Sequence, residues 1–515
     1  MPTYCVQWLR CSTHLQFPSP GSGCWSRRGK SGGLKTAGLV FLLSIATAIA
    51  APAQTFTTLH SFTGADGNVP QGTLIQGVDG NFYGTTYEGG ANGSSGTPDG
   101  TIYKITPQGT LTILHSFCSQ TGCLGGAAPF AGLLQGNDGN FYGTANAAGT
   151  NGGGTAFKIT SQGTFTTLYN FCAQPTCSDG TAPTGALAQG ADGNFYGTTF
   201  YGGANGDGTV FKLTPQGSLT TLYSFCPQAN CADGQHPQAG LVQGTDGNLY
   251  GTTSYGGADA HGTVFKITLQ GKVTTLHSFC SLANCTDGDT PYAGVIQGTD
   301  GNFYGTTLYG GTIAPSVYGT VFKITRQGVL TTLYSFCSQS NCGDGFSPYA
   351  GLFQGADGNF YGTTNTGGAN FEGTVFKITP QGTLTTLFSF CVQSQCSDGF
   401  GSFAGVVEAT SGKLYGTTAS GGANQFGTVF SLTAGLGAFV QTLPTSGKLG
   451  SAVKIQGTNL TGTTAVSFHG TAATFTVVSG SLIKTTVPVG ATTGTVKVTT
   501  PHGVLTSIKT FRVTP

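Results

Sequence analysis

Three kinds of residue could do chemistry in this chain: paired cysteines, aspartates in Asp-Gly turns, and a few histidines and tyrosines at loop positions. Twelve of the 15 cysteines form six C-x4-C pairs: Cys118/Cys123, Cys172/Cys177, Cys226/Cys231, Cys280/Cys285, Cys337/Cys342 and Cys391/Cys396. Two thiols at this spacing can close a disulfide or offer two ligands to a metal. Structural zinc wants four convergent ligands, and no histidine recurs beside the pairs. An even, regular set of cysteines in an exported chain reads as disulfides. Each small loop closed this way gains roughly 2 kcal/mol in the chain-entropy model. The expectation is six disulfides and no bound metal.

The acids are too scattered for an obvious active site. A glycosidase needs two carboxyl groups at one place. Of 19 acids, 12 lie in Asp-Gly-Asn turns or in the Asp-Gly pairs at 66, 179, 233, 287, 344 and 398. A ring of turn carboxylates holding calcium is the rival use for them. His60, His115 and His277 stand where other repeats carry Tyr or Phe and read as strand residues. His236 and His261 are unrepeated and lie in or near variable loops, so they are the best-placed acid–base candidates. No nucleophile elbow, zinc-protease motif or phosphate loop is present. Catalysis has little support, no catalytic residue is assigned, and no cofactor is implied. The enzymatic alternative is a propeller-type polysaccharide lyase or glycoside hydrolase working around His236 and His261. It would need two carboxylates, or a His–carboxylate pair, within hydrogen-bond reach on the variable loop face.

The elements that must position these residues repeat along the chain. The Asp of an Asp-Gly-Asn turn falls at 79, 138, 192, 246, 300 and 357, with a degenerate "SGK" copy at 411. Each unit of about 54 residues carries four β-like runs, as in "AGLVQG", "NLYGTT", "GTVFKIT" and "KVTTLHSF" (239 to 279). Seven "GTVF"-like runs occur. Seven "TLxSF"-like runs also occur, but the first, at 56 to 62, precedes any complete unit, and the last unit lacks one. An orphan fourth strand at the front and a missing one at the back predict ring closure. The fold class expected is all-β: a seven-bladed β-propeller closed by the N-terminal strand. Asp-Gly between two β runs predicts a type I′ hairpin turn with φ > 0 at both central residues. The aromatics that follow it, as in "TDGNFYGTT", are expected to pack between blades.

In such a blade the Asp-Gly and "PQG" turns share one face, and the cysteine loops share the other with the variable loops after "GTT". Tyr201, Tyr255 and Tyr309 occupy equivalent loop positions on three consecutive blades. Rings presented there could stack on sugar faces or on a partner's apolar surface; packing beneath their own Gly-rich loops is the plainer reading.

Arg27, Arg28, Lys30 and Lys35 precede the apolar run "AGLVFLLSIATAIA" (37 to 50) and small-residue cleavage sites. Residues 27 to 53 therefore read as an export signal, the apolar run being too short for a membrane span. Removing residues 1 to 53 leaves 15 basic and 19 acidic residues, a net charge of about −4. With no basic cluster, neither nucleic acid nor anionic membrane is expected as partner. Charged residues are only 8% and Gly numbers 87, yet 38% hydrophobic and 11% aromatic residues at regular spacing supply a core.

After Thr433 the period stops. "GSAVKIQGTNLTG", "AVSFHG", "TTVPVGATTGTVKVTT" and the terminal "FRV" closely resemble the IPT/TIG family of immunoglobulin-like domains. That resemblance implies a β-sandwich over 436 to 515, a spacer or interaction module without catalytic residues. The repeats, with "QGTDGNFYGTT", "GGANGDGTVFKLTPQG" and "TLYSF", resemble the Gloeo_Verruco (GloVer) tandem-repeat family of exported bacterial proteins. The resemblance supplies no activity. Members often carry a C-terminal surface anchor, and none is visible here. The expected organisation is a signal-bearing extension (1 to 53), a propeller (54 to 435) and the Ig-like domain (436 to 515). The expected role is extracellular or cell-surface binding of carbohydrate or a protein partner, or a structural one, with no integral membrane segment once the signal is removed.

Overall fold

Strand burial in each repeat follows from position in the sheet. The second strand, such as Phe303–Thr307, is buried at every residue, because neighbouring sheets cover both its faces. The fourth, such as Leu330–Ser335, stays partly exposed along its length. These facts come from a computed structural model that describes residues 54–514 apart from 92–98, 120–121, 228 and 314–316. The expected export signal and Cys5, Cys11 and Cys24 lie outside the described residues.

In the repeat region the strands form seven four-stranded antiparallel sheets. In the fourth, the order is Val242–Gln243, Leu249–Thr253, Thr263–Ile267 and Val273–Ser278. The seventh takes its outer strand from the other end of the chain: Phe56–Ser61 pairs antiparallel with Thr428–Thr433, Phe56 opposite Leu432. This is an all-β, propeller-like repeat fold. The only helical segments among the described residues are five three-residue 3-10 turns in the cysteine loops. None is long or apolar enough to cross a membrane.

The turn aromatics pack between sheets, as expected. Tyr83 stacks on Phe141 at 3.9 Å, Tyr250 stacks on Phe303 at 3.9 Å, and Tyr304 lies tilted against Phe360 at 4.0 Å. Phe82 of the first sheet stacks on Tyr415 of the seventh at 3.9 Å. Polar contacts repeat at each junction. Between the third and fourth sheets, Thr198 Oγ1 donates to Ala239 O (2.9 Å), Gln243 Oε1 accepts from Ala191 N–H (2.9 Å), and His236 N–H donates to Asp207 O (2.8 Å). Between the seventh and first sheets, Thr417 Oγ1 meets Pro70 O (3.2 Å), Thr410 N–H meets Gln76 Oε1 (2.9 Å), and Val69 N–H meets Phe426 O (3.3 Å). The innermost segments approach so closely that a Cβ on Gly132 would lie 2.3 Å from Thr73 O, which is why small residues recur there.

The Asp-Gly turns differ from the type I′ expectation. Gly80 has φ 84° and Gly247 φ 84°, but no turn aspartate is left-handed. Gly80 N–H donates to Gly77 O (2.8 Å) and Gly77 N–H to Asn81 O (2.8 Å). The loop thus holds three residues rather than two, a type I turn closed by a left-handed glycine. The aspartate contributes through its side chain: Asp79 Oδ1 accepts Asn81 N–H, and Oδ2 accepts Asn81 Nδ2 and the Tyr83 hydroxyl (2.8 Å).

Residues 441–513 build two further four-stranded antiparallel sheets. Val453, Ile455, Phe468, Ile483, Val498 and Phe511 belong to their shared core. Gln456 Nε2 reaches Gly77 O at 2.6 Å and Thr458 Oγ1 meets Thr410 Oγ1 at 3.0 Å, joining this part to the repeat sheets.

Candidate functional site

All six C-x4-C pairs are disulfides. Cys118 is bonded to Cys123, Cys172 to Cys177, Cys226 to Cys231, Cys280 to Cys285, Cys337 to Cys342 and Cys391 to Cys396. Each bridges the segment between the outer strand of one sheet and the inner strand of the next. The second cysteine of each pair is left-handed, with φ 51° at Cys342 and 50° at Cys396, so the chain turns sharply there. Its carbonyl then takes two backbone donors. Cys342 O accepts Gly345 N–H (2.9 Å) and Gly368 N–H (2.8 Å), and Cys396 O accepts Gly399 N–H (2.8 Å) and Gly422 N–H (3.0 Å). At Cys342 and Cys396 the cysteine is thus a structural residue that ties its loop to the loop after "GTT".

The Asp-Gly aspartate that follows organises the loop from inside. Asp287, 1% exposed, accepts Ser281 N–H (3.1 Å), Leu282 N–H (3.3 Å) and His277 Nε2 (3.0 Å). In other repeats a tyrosine replaces that histidine: Tyr169 on Asp179 (2.9 Å), Tyr223 on Asp233 (2.9 Å), Tyr334 on Asp344 (2.8 Å). His60 does the same with Asp66 at 2.9 Å. These acids and histidines are frame, as their spacing indicated. The second repeat has Gly125 where the aspartate would be, and His115 instead stacks on Phe165 at 3.9 Å. Burial pushes its imidazole pKa down to about 4.

The same link between cysteine loop and "GTT" loop recurs in the repeats that carry the candidate tyrosines. Gly203 N–H donates to Cys177 O (2.9 Å), Gly257 N–H to Cys231 O (2.9 Å) and Gly311 N–H to Cys285 O (3.0 Å). The three tyrosines share one register position, bridging to the residue after the Asp-Gly pair: Thr181 with Tyr201, Gln235 with Tyr255, Asp289 with Tyr309. They do not fold under their loops. Tyr201 is 50% exposed, Tyr255 46% and Tyr309 39%.

His236 stands between two of them. Its ring lies edge-on to Tyr201 (5.1 Å) and Tyr255 (5.9 Å) and stacks on Phe200 (4.7 Å). Its Nδ1 meets Phe200 O at 3.0 Å, and its Nε2 lies 3.7 Å from Asp207 Oδ1. The backbone is left-handed here (φ 55°), as it is at the equivalent Val69, Ala128, Ala182, Thr290 and Ser347. The conformation belongs to the fold, and His236 is the one large polar ring placed on it. His261 and Asp289 form a second pair, Nδ1 to Oδ1 at 2.8 Å, with Thr290 Oγ1 donating to the same oxygen (2.8 Å). A His–carboxylate pair within hydrogen-bond reach does therefore exist on this face. An imidazole oriented by a carboxylate is the usual build of a general base.

Sequence reasoning missed a further set of rings. The residue after the proline of each inner segment is Phe130, Tyr292 or Tyr349 in three repeats, and Phe403 follows Ser402 in the seventh. Tyr349 lies edge-on to Tyr292 (5.1 Å) and to Phe403 (4.8 Å), and Phe130 lies 6.0 Å from Tyr87. Burial pushes the Tyr292 phenol up to about 12, with Gln238 opposing and Tyr349, Tyr255 and Tyr87 adding. The recurrence "P-Y-A-G" and "P-F-A-G" was the available signal.

Metal ligation has one structural opening. His261 with Cys280 and Cys285, Asp99 with Cys118 and Cys123, and Asp207 with Cys226 and Cys231 each bring three donor atoms within 4.8 Å. One histidine, His261, thus stands beside a cysteine pair without recurring beside the others. Among the described residues no third donor joins Cys172–Cys177, Cys337–Cys342 or Cys391–Cys396 in this way. Sulfurs bonded to each other are not thiolate ligands, so these sets do not fit a metal in the oxidised protein.

Stacked four-stranded sheets, sealed pairwise by one repeated set of contacts and carrying their variable loops on one face, define a propeller-like repeat protein. The chain belongs to the Gloeobacter/Verrucomicrobia repeat family, whose profile matches residues 28–177, 92–285, 174–343 and 282–483. A search of curated proteins finds no match. Among solved structures, the extracellular domain of BT4673 from B. thetaiotaomicron is 10% identical with a TM-score of 0.45, over 90% of this chain and 58% of that one. The chain thus spans a little over half of that structure's length. The α-L-arabinanase of Penicillium chrysogenum, complexed with arabinobiose, is 12% identical with a TM-score of 0.40, over 73% and 97%. The aldose sugar dehydrogenase of Streptomyces coelicolor is 14% identical with a TM-score of 0.37, over 75% and 99%.

Proposed function

We propose that the protein is an exported, disulfide-stapled, seven-bladed β-propeller followed by an IPT/TIG-type Ig-like module over 436 to 515, and that it binds carbohydrate through its cysteine-loop face. One observation carries the ligand class: Tyr201, Tyr255 and Tyr309 stand about half exposed at one register position on three consecutive sheets. An arc of phenol rings offers apolar faces for pyranose C–H groups and hydroxyls for their oxygens. His236 sits within the arc and supplies a polar edge. The loops of this face carry acids such as Asp207, Asp259 and Asp289 and no Lys or Arg, which suits a neutral glycan better than an anionic one. Six disulfides support export. The two-sheet core of 441–513 supports the Ig-like reading.

The test is to express residues 54–515 under oxidising conditions and screen an array of bacterial and plant polysaccharides beside a Y201A/Y255A/Y309A variant. Glycan binding that disappears in the variant supports the reading. Binding by neither protein moves the role to a protein partner or a structural one.

The second reading is a polysaccharide lyase or glycoside hydrolase, and the 2.8 Å His261–Asp289 pair favours it. Incubation of each bound polysaccharide with the protein, followed by reducing-end and unsaturated-product assays, decides it. Products that vanish with His261→Ala would establish catalysis; their absence leaves a binding protein.

A further inference from the structure

Six similar disulfides differ in one neighbour. The residue just before each "GTVF" glycine lies over the next cysteine loop, and its type changes from repeat to repeat. At Cys118–Cys123 it is Asp99 and at Cys226–Cys231 it is Asp207, each with a carboxylate oxygen within 4.8 Å of both sulfurs. At Cys280–Cys285 it is His261, with a ring nitrogen within the same distance. The loop's own aspartate does not separate Cys280–Cys285 from Cys226–Cys231, since Asp233 takes the place of Asp287 there, while Cys118–Cys123 has Gly125 at that position. Asp289 Oδ1 lies 2.8 Å from His261 Nδ1 and orients the ring beside this bond. Residues 281–284 of the loop are exposed, which opens the bond to a reagent.

We propose that Cys280–Cys285 is a thiol–disulfide exchange site, cleaved ahead of its sister bonds by a small dithiol or a dithiol reductase. A thiolate of the dithiol attacks one sulfur, and the Cys280–Cys285 bond breaks. The departing sulfur takes a proton from the His261 ring. The dithiol's second thiolate then displaces the first sulfur, leaving a protein thiol, a protein thiolate that takes its proton from solvent, and an oxidised dithiol. A ring that can donate a proton favours the departing thiolate, whereas a bare carboxylate such as Asp207 opposes both the approaching thiolate and the departing one. The order is therefore Cys280–Cys285 fastest, with Cys118–Cys123 and Cys226–Cys231 slow. Gly311 N–H to Cys285 O and the Asp289–Tyr309 bridge connect this loop to the third tyrosine of the arc. The inference stands independently of what that arc binds.

The test uses full-length protein purified from an oxidising compartment, treated with limiting dithiothreitol, quenched with iodoacetamide and mapped by peptide mass spectrometry. Cys280–Cys285 is expected to open at least about threefold faster than Cys226–Cys231, because the better-stabilised leaving thiolate departs faster. His261→Asn should abolish that lead, and Asp207→His should confer it on Cys226–Cys231. Equal rates for the two bonds overturn the proposal. So does a His261→Asn protein in which Cys280–Cys285 still leads. Should His261→Asn fail to fold, Asp207→His alone decides: no acceleration at Cys226–Cys231 overturns the assignment.

Discussion

Thr417 Oγ1 of the seventh sheet donates to the carbonyl of Pro70, 347 residues earlier, at 3.2 Å. The same threonine-to-carbonyl bond joins the third sheet to the fourth through Thr198 and Ala239. The seventh sheet is completed only by Phe56–Ser61, and Phe56 stacks on Phe388 at 4.0 Å. Closure therefore rests on the first strand. Phe56→Ala is expected to cost about 2 kcal/mol, less than a full core truncation because the ring is only partly buried. Deleting 54–62 should leave an open edge and produce oligomers. Urea unfolding and size-exclusion chromatography read the two effects. A monomeric, equally stable deletion would refute closure by this strand.

Glu408 is the exception in an otherwise uniform junction. Six sheets place a glutamine there; Glu408 instead accepts Ala356 N–H through Oε2 at 2.9 Å, and its Oε1 is buried without a partner. Burial is the main cause that raises its carboxyl pKa from 4.5 to about 7, with Asp357 adding to it. The folded-state value lies above the unfolded one, so the neutral acid is the form that fits. Its stability contribution is complete below about pH 4.5 and is lost as pH rises through 7. The loss is at most about 3 kcal/mol by pH 8. Glu408→Gln should remove it. Denaturation at pH 5 and pH 8 checks this, and an unchanged pH dependence in the variant would count against the account.

His115 is the opposite case. Its buried ring has a folded pKa of about 4 against an ordinary 6.5. A depressed base contributes stability that is full above 6.5 and is lost as pH falls toward 4. His115→Phe keeps the stack on Phe165 and removes the proton. The variant should lose less stability between pH 7 and pH 4.5 than the parent, by up to about 2 kcal/mol. Equal losses would show that His115 is already solvated.

Much of the frame was legible because its signals are local and repeated. The orphan "FTTLHSF" before the first unit announced the strand exchange now seen between Phe56 and Leu432. Paired spacing announced all six disulfides, from Cys118–Cys123 to Cys337–Cys342 and Cys391–Cys396. The left-handed backbone at Cys342 and Cys396 was not announced, since no glycine stands at either position. The turn type was not legible, since a two-residue and a three-residue loop both place glycine after aspartate, and only the Gly77–Asn81 hydrogen bond separates them. The pairing of His261 with Asp289 was hidden for another reason. It crosses from one sheet to the next, and Thr290 reaches its place through a left-handed backbone (φ 53°) that no glycine advertises.

Asp344 shows why the cysteine loops need more than their disulfides. It is 0% exposed and accepts Ser338 N–H, Gln339 N–H and the Tyr334 hydroxyl. Asp344→Ala would strand these donors at about 1–3 kcal/mol for each one left unpaired and dry. Replacing both Cys337 and Cys342 by serine should cost roughly 2 kcal/mol or less. The aspartate is therefore the larger contributor. Urea midpoints in the reverse order would place loop stability in the disulfide instead.

Recognition by stacking can be separated from recognition by hydroxyl contacts at Tyr255. Its ring is 46% exposed and lies edge-on to His236 at 5.9 Å. Tyr255→Phe keeps the ring face and loses only the hydroxyl. Tyr255→Ala loses both, and a ring contact of about 0.5–1.5 kcal/mol corresponds to up to about tenfold in affinity. Stacking predicts near-parental glycan affinity for the Phe variant and a several-fold loss for the Ala variant. Neither change should move Tm by more than about 2 °C, because an exposed ring carries little of the core. Calorimetric titration with the best glycan from the array gives both affinities. Equal losses in the two variants would assign recognition to the hydroxyl rather than to the ring face.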